Sequence, residues 1–337
     1  MLDQATIMGL VFAVFLVLGV GACLRQFNWL THEADESLLK VVIRVLMPCF
    51  FINHVVGNPK FMHFTDAWLP PTIGFGSTVV GYIIALLFAK LCGKWVGLKT
   101  PVAQHTFALC VGTFNYGYIP MPLVEAMFPN DNGATMGTLI VHNLGVEIAI
   151  WTVGLLVLQG KLNRNSWKRA MNPPFFAILF SLLINQFRLY EVVPDAIGVD
   201  LSFLSMPIKL LAQATIPMGL IMVGATMADQ FGQARSQLLT SWQSAFAGIL
   251  LRLVALPVLF ILVASWLPQA FDSFDLKELK TVMVIQAAMP CAVFPIVLAK
   301  HYGGDTAVAL RVVFATSIIA ILTIPTVIAQ GLGFVFG

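Results

Sequence analysis

Charged side chains are scarce in this sequence, at 10% of its 337 residues, whereas hydrophobic side chains make up 58%. A soluble domain carries about 25% charged residues, so this composition excludes a water-soluble fold. It is typical of an all-α integral membrane protein whose main partner is the lipid bilayer. The net charge of +3 is small and gives no indication of a nucleic-acid partner.

Several motifs of enzyme and metal chemistry are also missing. The chain has no HExxH or GxSxG sequence, and no two cysteines stand at CxxC spacing. The cysteines lie in or beside apolar runs, where we expect them to pack as small apolar residues: Cys23, Cys49, Cys92, Cys110 and Cys291. We therefore expect no metal, no cofactor, no disulfide framework and no enzymatic activity.

The sequence divides into about ten apolar runs near the length that crosses a bilayer, about 20 residues. The first follows a lone charge at Asp3 and lacks the basic start of a signal peptide, so we expect a true membrane helix. We number the predicted spans 1 to 10, at 5–25, 37–57, 68–92, 101–128, 134–159, 173–188, 203–228, 239–267, 278–300 and 305–330.

Lysine and arginine accumulate in the loops that follow odd-numbered spans. These loops hold Arg25, Lys90, Lys94, Lys99, Lys161, Arg164, Lys168, Arg169, Arg235 and Lys300. The loops after even-numbered spans hold only Lys60, Arg188, Lys277 and Lys280. Because cytoplasmic loops carry the positive excess, we predict that the odd-numbered loops are cytoplasmic and that both termini lie outside the cell membrane.

The two halves of the sequence share an order of features, which predicts an internal repeat. Residues 1–160 and 173–337 would each be a five-span unit, joined by a basic cytoplasmic linker at 161–172. An odd number of spans per unit places the second copy upside down, the plan of many secondary transporters. The corresponding positions are Pro48 with Pro217, and Gly133 with Gly304.

Spans 4 and 9 each contain two prolines close together, Pro120 with Pro122 and Pro290 with Pro295. Proline removes a backbone donor and clashes with the preceding turn, so both spans are predicted to unwind locally. The freed backbone groups must face protein or a wet cavity, and the half-helices that start there carry partial positive charge. Paired breaks therefore predict a site for an anion near the middle of the membrane.

The segment from Ile285 to Asp305, IQAAMPCAVFPIVLAKHYGGD, closely resembles the ninth helix of PIN-type auxin carriers and their bacterial relatives. Their pattern is Gln-Ala-Ala-x-Pro, a second proline five residues later, and then Ala-Lys-x-Tyr. Span 4 reads NYGYIPMPL from Asn115, which resembles the family's Asn-Thr-Gly-Phe-x-Gly-x-Pro-Leu. Tyr116 and Pro120 depart from that pattern. The resemblance to the auxin efflux carrier family, which includes malate and malonate permeases, covers essentially the whole chain.

This resemblance implies a ten-helix fold in which broken helices 4 and 9 cross, as in NhaA-type transporters. Helices 1, 2, 6 and 7 would form a scaffold, and helices 3–5 and 8–10 a moving transport domain. The expected function is a secondary transporter of the bacterial inner membrane that moves a small organic anion, such as malate, malonate or an auxin-like acid, by alternating access. The expected substrate-binding residues are Asn115, Tyr116, Gly117, Pro120, Pro122, Gln286, Pro290, Cys291 and Pro295.

Span 5 contains a polar group of three residues, His142, Asn143 and Glu147. Asn143 and Glu147 are four residues apart and share a helix face. Ionisable side chains inside a membrane are costly and often functional, so these residues are candidates for a site that binds a coupling proton or sodium ion. A structural hydrogen bond between helices is the other reading of Glu147, and the sequence leaves both open.

Five basic residues lie in or near the predicted spans: Lys40, Arg44, Lys209, Arg252 and Arg311. We expect such side chains to reach toward the membrane surface, although one of them pairing with a substrate carboxylate is the alternative. We expect Asp305 to cap the helix that follows it.

A sodium-coupled symporter of the bile-acid type, which has a related crossing fold, is the main alternative. That type places a carboxylate in the helix 9 motif, and the segment 286–295 has none. An intramembrane enzyme or a channel is less favoured, because the enzyme motifs are missing and a channel does not need two matched broken repeats. The sequence leaves open the anion, the direction of transport and whether the protein forms a homodimer.

Overall fold

The computed structural model describes residues 3–62, 67–160, 171–190, 203, 205–240, 242–267 and 276–337. Within these ranges the chain is helical apart from turns and one isolated β-bridge. The helices are α1 (Gln4–Gln26), α2 (His32–Val55), α3 (Leu69–Cys92), α4 (Pro101–Gly112), α5 (Pro120–Met127), α6 (Ala134–Gln159), α7 (Pro173–Gln186), α8 (Ser205–Thr240), α9 (Trp242–Trp266), α10 (Lys277–Ala288), α11 (Phe294–Tyr302) and α12 (Thr306–Phe336).

Seven of the described helices are long and apolar enough to cross a membrane, namely α1, α2, α3, α6, α8, α9 and α12. This finding confirms an all-helical, multi-pass membrane protein. Predicted spans 4 and 9 are each divided into two short helices, and predicted span 6 corresponds to the short apolar helix α7. The ten-span count, the inverted repeat and the division into scaffold and transport domains stay predictions.

Four of the described helices, α1, α4, α7 and α12, begin where a short polar side chain satisfies one of the first backbone N–H groups. Thr100 caps α4 by accepting a hydrogen bond from the N–H of Ala103. Asp305 caps α12 by accepting one from Val308 at 3.0 Å, which confirms the role expected from the sequence. Thr100 therefore fixes the start of the helix before the break in span 4, and Asp305 fixes the start of the helix that follows span 9.

Helices α2, α6 and α9 each contain one π-helical turn, at Val42–Leu46, Ile150–Gly154 and Leu251–Ala255. In α2 and α9 a proline follows the turn closely, at Pro48 and Pro257. The π turn accommodates the carbonyl groups that the proline leaves without a partner, so the helix continues through the membrane. Each π turn also rotates the residues that follow it about the helix axis, relative to their positions in an uninterrupted α-helix.

Glycines allow two pairs of helices to approach closely. A Cβ atom added to Gly21 would clash with the backbone of α8, and one added to Gly224 with the backbone of α1. In the same way Gly74 of α3 and Gly145 of α6 leave room only for the backbone of the other helix. Helices in lipid have no hydrophobic driving force to associate. Small residues at such contacts let the backbones approach closely, so that van der Waals packing holds the helices together.

One predicted boundary was wrong. Span 7 was expected to end at 228, with Arg235 in the following loop, but α8 continues to Thr240 and includes Arg235. The segment 230–240 is more polar than the span before it, and its glutamine, alanine, arginine and leucine residues are all good helix formers. The end of an apolar run therefore marks the end of the membrane crossing and not the end of the helix. Of the predicted linker at 161–172, only 171 and 172 are described.

Candidate substrate site at two paired helix breaks

Spans 4 and 9 are both broken, as the prolines predict. Helix α4 ends at Gly112 and α5 begins at Pro120, whereas α10 ends at Ala288 and α11 begins at Phe294. The seven and five residues between these ends, 113–119 and 289–293, have no regular helical structure. We call them break A and break B.

Breaks A and B are bound to each other through their backbones. The N–H of Asn115 donates to the carbonyl of Pro290 at 2.8 Å, and the N–H of Ala292 donates to the carbonyl of Thr113 at 2.9 Å. Together these bonds form an isolated antiparallel bridge. Backbone groups that would be costly in a membrane therefore satisfy one another, and the two breaks meet at one place.

The prolines stand where a proline costs a helix little. Pro120 is the first residue of α5 and Pro295 the second residue of α11, positions whose N–H groups have no partner inside the helix. Pro120 replaces the glycine of the resembling family pattern and is accommodated as a helix start. Pro290 lies in break B, where its carbonyl accepts the bond from Asn115.

Each break places one helix C-terminus beside one helix N-terminus. Helices α5 and α11 begin there and carry partial positive charge toward the bridge, whereas α4 and α10 end there and carry partial negative charge. The electrostatic potential at the bridge therefore depends on which of these four helix ends have their partial charge offset by other groups.

Two amide side chains hold break A from neighbouring helices. Asn143 of α6 donates from Nδ2 to the carbonyl of Tyr116 at 2.7 Å. Gln286 of α10 donates from Nε2 to Oδ1 of Asn143 at 2.9 Å and to the same Tyr116 carbonyl at 3.2 Å. Both side chains are buried, so Tyr116 is the point where α6, α10 and break A are joined.

Glu147 binds the side chain of Tyr116 as well. Its Oε1 accepts from the Tyr116 hydroxyl at 2.9 Å, and its Oε2 accepts from Nε1 of Trp151 at 2.9 Å. In the part of the chain that the structure describes, no cationic side chain forms an ion pair with this carboxylate. The structure thus joins two of the candidate coupling residues, Asn143 and Glu147, to one residue of break A.

The third candidate coupling residue, His142, is buried beside this group. Its Nδ1 lies 3.5 Å from Oδ1 of Asn143, which is at the limit for a hydrogen bond. It lines a small cavity with Ser77, Arg252 and Gln286, whose volume of about 10 Å³ is close to what one water molecule needs. The buried Oε1 of Gln286 has no hydrogen-bond partner among the described residues.

Asn115 is half-buried and keeps an available donor. Its Oδ1 accepts from the N–H of Ile119 over a long 3.4 Å. Its side-chain nitrogen makes no hydrogen bond to any residue that the structure describes, so this NH₂ group is free to donate to a ligand. Of the predicted site residues, Asn115, Tyr116, Gly117 and Pro122 are partly accessible, whereas Pro120, Gln286, Pro290, Cys291 and Pro295 are buried.

Arg252 lies in a different environment from the one expected from the sequence. Its side chain was expected to reach the membrane surface, but it is 1% exposed and makes hydrogen bonds inside the protein. Nε donates to the carbonyl of Met289 at 2.7 Å, and Nη2 donates to those of Gln286 at 2.9 Å and Ala287 at 3.2 Å. A charge ten residues into the apolar helix α9 was the available signal.

The same expectation was wrong for Arg311, which is buried and donates from Nε to Oγ of Ser244 at 3.1 Å. Lys40 behaves as expected, because it is exposed and pairs with Glu36 at 2.7 Å. The depth of a residue in its helix, and the helix face on which it lies, therefore decide whether a long cation reaches solvent.

A second, larger cavity lies beyond α5 and has a volume of about 420 Å³. It is bounded by α2, α5, α6 and α8, and its polar lining includes Asn53, His54, Asn58, Glu125 and Lys209. This volume lies in the range of small-molecule sites. It is separate from the paired breaks, and we refer to it as the outer cavity.

Apolar helices of membrane-spanning length, with two broken helices that join at a polar site, define the class as a multi-pass membrane protein. Residues 6–167 and 161–328 match the family described as "Membrane transport protein". The chain belongs to this family, and the predicted auxin efflux carrier family is confirmed. An "Uncharacterized transporter" of Methanothermobacter thermautotrophicus is 24% identical over 322 residues, which cover 94% of this chain and 95% of the relative.

Proposed function

We propose that this transporter is a secondary carrier that moves a small organic anion, such as malate, malonate or an auxin-like acid, by alternating access. The observation that carries the proposal is the free side-chain donor of Asn115 at the bridge between breaks A and B. The helices that start beside it, α5 and α11, add partial positive charge. An anion is the ligand that such a group of donors and dipoles attracts.

A carboxylate fits this site better than a cation does. An amide donates a hydrogen bond without adding a fixed charge, so an anion can bind and still be released. The carbonyl oxygens that would coordinate a metal cation are largely occupied: Thr113 and Pro290 accept the bonds of the bridge, and Tyr116 accepts from two amides. These contacts favour the organic anion over the sodium site of a bile-acid-type symporter.

Counterflow in proteoliposomes tests the proposal. Vesicles that hold the purified protein are loaded with one unlabelled carboxylate and diluted into the same labelled carboxylate at low concentration, for a panel of mono- and dicarboxylates. A carrier accumulates label transiently for its substrates only. If no carboxylate of the panel exchanges, or if label passes without saturation as through a channel, the proposal is wrong.

The orientation from the loop charges, with both termini outside, gives a topological prediction. In a variant that lacks the native cysteines, single cysteines introduced within residues 161–170 should be protected from an impermeant thiol reagent added to intact cells. A cysteine in place of Gly337 should react, because positive loops stay in the cytoplasm. Disruption of the cells should make both positions reactive, and the reverse pattern in intact cells would contradict the orientation.

We also propose that Glu147 carries a coupling proton. Its carboxylate accepts from Tyr116 of break A, so protonation would weaken the hold of α6 on that break. In Glu147→Gln the new side chain keeps a hydrogen-bond acceptor but cannot ionise. Uptake should therefore lose its pH dependence while the protein still inserts and folds. The exposed carboxylate Glu125 on α5 gives the control, because Glu125→Gln should keep the wild-type pH profile. A Glu147→Gln protein with the normal rate and pH profile would make this carboxylate structural.

A further inference from the structure

Arg252 is a cation that is buried inside the protein and has no part in the transport cycle proposed above. It lies in the π turn of α9, at Leu251–Ala255, and its side chain leaves that helix toward break B. A buried guanidinium is costly in a bilayer unless its charge and its N–H groups find partners. Its partners therefore indicate what the charge is for.

Among the described residues, the hydrogen-bond acceptors of the guanidinium are backbone carbonyls at the end of α10. The carbonyls of Gln286, Ala287 and Met289 are among the groups that carry the partial negative charge of this C-terminus. Left alone, this end would repel an anion that approaches break B. Arg252 offsets it, so the positive starts of α5 and α11 dominate the local field.

The same guanidinium also contacts break A. It lies 4.9 Å from the centre of the Phe114 ring, in a cation–π arrangement. Phe114 directly precedes Asn115, and Met289 directly precedes Pro290, so Arg252 contacts the neighbours of both residues that share the 2.8 Å backbone bond. One side chain of α9 thus supports the bridge from both breaks.

We propose that Arg252 is a positioning residue that holds breaks A and B together and makes the site specific for anions over uncharged analogues. The proposal rests on the proposed function of the site. The guanidinium acts through the field and through the bridge, and the carbonyls of α10 offset part of its charge. It therefore favours an anion, but it binds the anion less tightly than an arginine in direct contact with it would.

The side chain must be arginine for both parts of this role. A planar guanidinium donates in several fixed directions and stacks on an aromatic ring, whereas a lysine presents one compact charge. Arg252→Lys should keep the positive charge near the breaks but lose some of the contacts that hold breaks A and B together. Arg252→Gln should lose the charge and most of the bonds.

The first experiment measures specificity through competition. Counterflow of labelled malonate is inhibited with unlabelled malonate or with its uncharged analogue malonamide, in wild type, Arg252→Gln, Arg252→Lys and Arg311→Gln. Arg252→Gln removes a positive charge beside the proposed anion site. The preference for malonate over malonamide should therefore fall by about tenfold or more. Arg252→Lys should stay within about threefold of wild type, because the charge remains.

Arg311→Gln is the matched control, because Arg311 is also buried and its Nε donates to Ser244, a residue of α9 that lies outside both breaks. It should show the wild-type preference even where its thermal stability is lower. An unchanged preference in Arg252→Gln, or an equal loss in Arg311→Gln, overturns the specificity part of the proposal.

The second experiment measures the bridge without any substrate. Hydrogen exchange at the backbone N–H groups of Asn115 and Ala292 reports on the two bridging bonds. Exchange there should be faster in Arg252→Gln and in Arg252→Lys than in wild type, and unchanged in Arg311→Gln. Wild-type exchange in both Arg252 variants overturns the positioning part.

The two proposals fail in distinguishable ways. If wild type transports none of the carboxylates, the proposed function is wrong, and the exchange measurement still decides whether Arg252 positions the breaks. If Arg252→Gln does not fold, Arg252→Lys decides through exchange: faster exchange at Asn115 and Ala292 supports the proposal, and wild-type exchange overturns it.

Discussion

Asn143→Ala is expected to reduce counterflow by about thirtyfold or more. The substitution removes the bonds from Asn143 to Tyr116 and from Gln286 to Asn143, which have lengths of 2.7 and 2.9 Å. At about 1 kcal/mol or more for each bond, the loss reaches about 2 kcal/mol, which corresponds to that factor. The measurement is the initial rate of counterflow per folded protein, with folding followed by thermal unfolding in detergent.

Asn185 provides a matched control for this effect. It is a buried asparagine whose Nδ2 donates to Val55 at 2.6 Å and whose Oδ1 accepts from Gly57 at 2.8 Å, away from the breaks. Asn185→Ala loses the same number of bonds, so it should lower thermal stability by a similar amount and keep the transport rate per folded protein. If the two variants lose transport equally, Asn143 has only a structural role.

Asn115→Ala is expected to weaken binding of the transported anion by about ten- to over a hundredfold. The substitution removes one hydrogen bond to a charged ligand, a contribution of about 1.5–3 kcal/mol. The empty protein should unfold at nearly the wild-type temperature, because the Asn115 side chain makes one long hydrogen bond among the described residues, from the N–H of Ile119 at 3.4 Å. Titration calorimetry with the best substrate of the counterflow panel measures the affinity.

Asn115→Asp tests the effect of a negative charge at this position, in addition to the loss of the side-chain donor. An aspartate nearly conserves shape but replaces the donor with negative charge, so binding should fall further than in Asn115→Ala. Unchanged affinity in Asn115→Ala together with a lower unfolding temperature would show that Asn115 only supports break A. The anion would then bind elsewhere, and the outer cavity would be the first alternative.

Much of the site could be predicted from local sequence because its chemistry is local. Paired prolines remove donors within one helix, so the breaks in spans 4 and 9 follow from the residues themselves. The spacing of Asn143 and Glu147 places them on one face of α6, and the structure joins both to Tyr116. These predictions needed no knowledge of how distant helices pack.

The role of Arg252 could not be predicted because it depends on two elements distant in sequence. Hydropathy gives the depth of a residue in a span but not the face on which it lies, and the π turn at Leu251–Ala255 shifts that face. Its partners are carbonyls that become available only where α10 ends. The extent of α8 was missed for a different reason, since the helix continues beyond the apolar run that predicted it.

Tyr116 was expected to bind substrate, and the structure gives it a second role. The tyrosine stands where the family pattern has threonine, and its hydroxyl, at the end of a longer side chain, donates to Glu147, while its backbone carbonyl accepts from Asn143 and Gln286. A sequence pattern identifies the unusual residue but does not show the carboxylate that the hydroxyl meets across the break. This link is what connects Glu147 to the proposed substrate site.

Locating the bound anion in a crystal decides whether it binds at the bridge between breaks A and B. Crystals are grown with a bromine-labelled analogue of the carboxylate that gives the strongest counterflow, and anomalous scattering locates the bromine. We expect a peak beside the bridge, with a carboxylate oxygen within about 3.2 Å of Nδ2 of Asn115. A peak in the outer cavity beside His54 and Lys209, with no peak at the bridge, would contradict it.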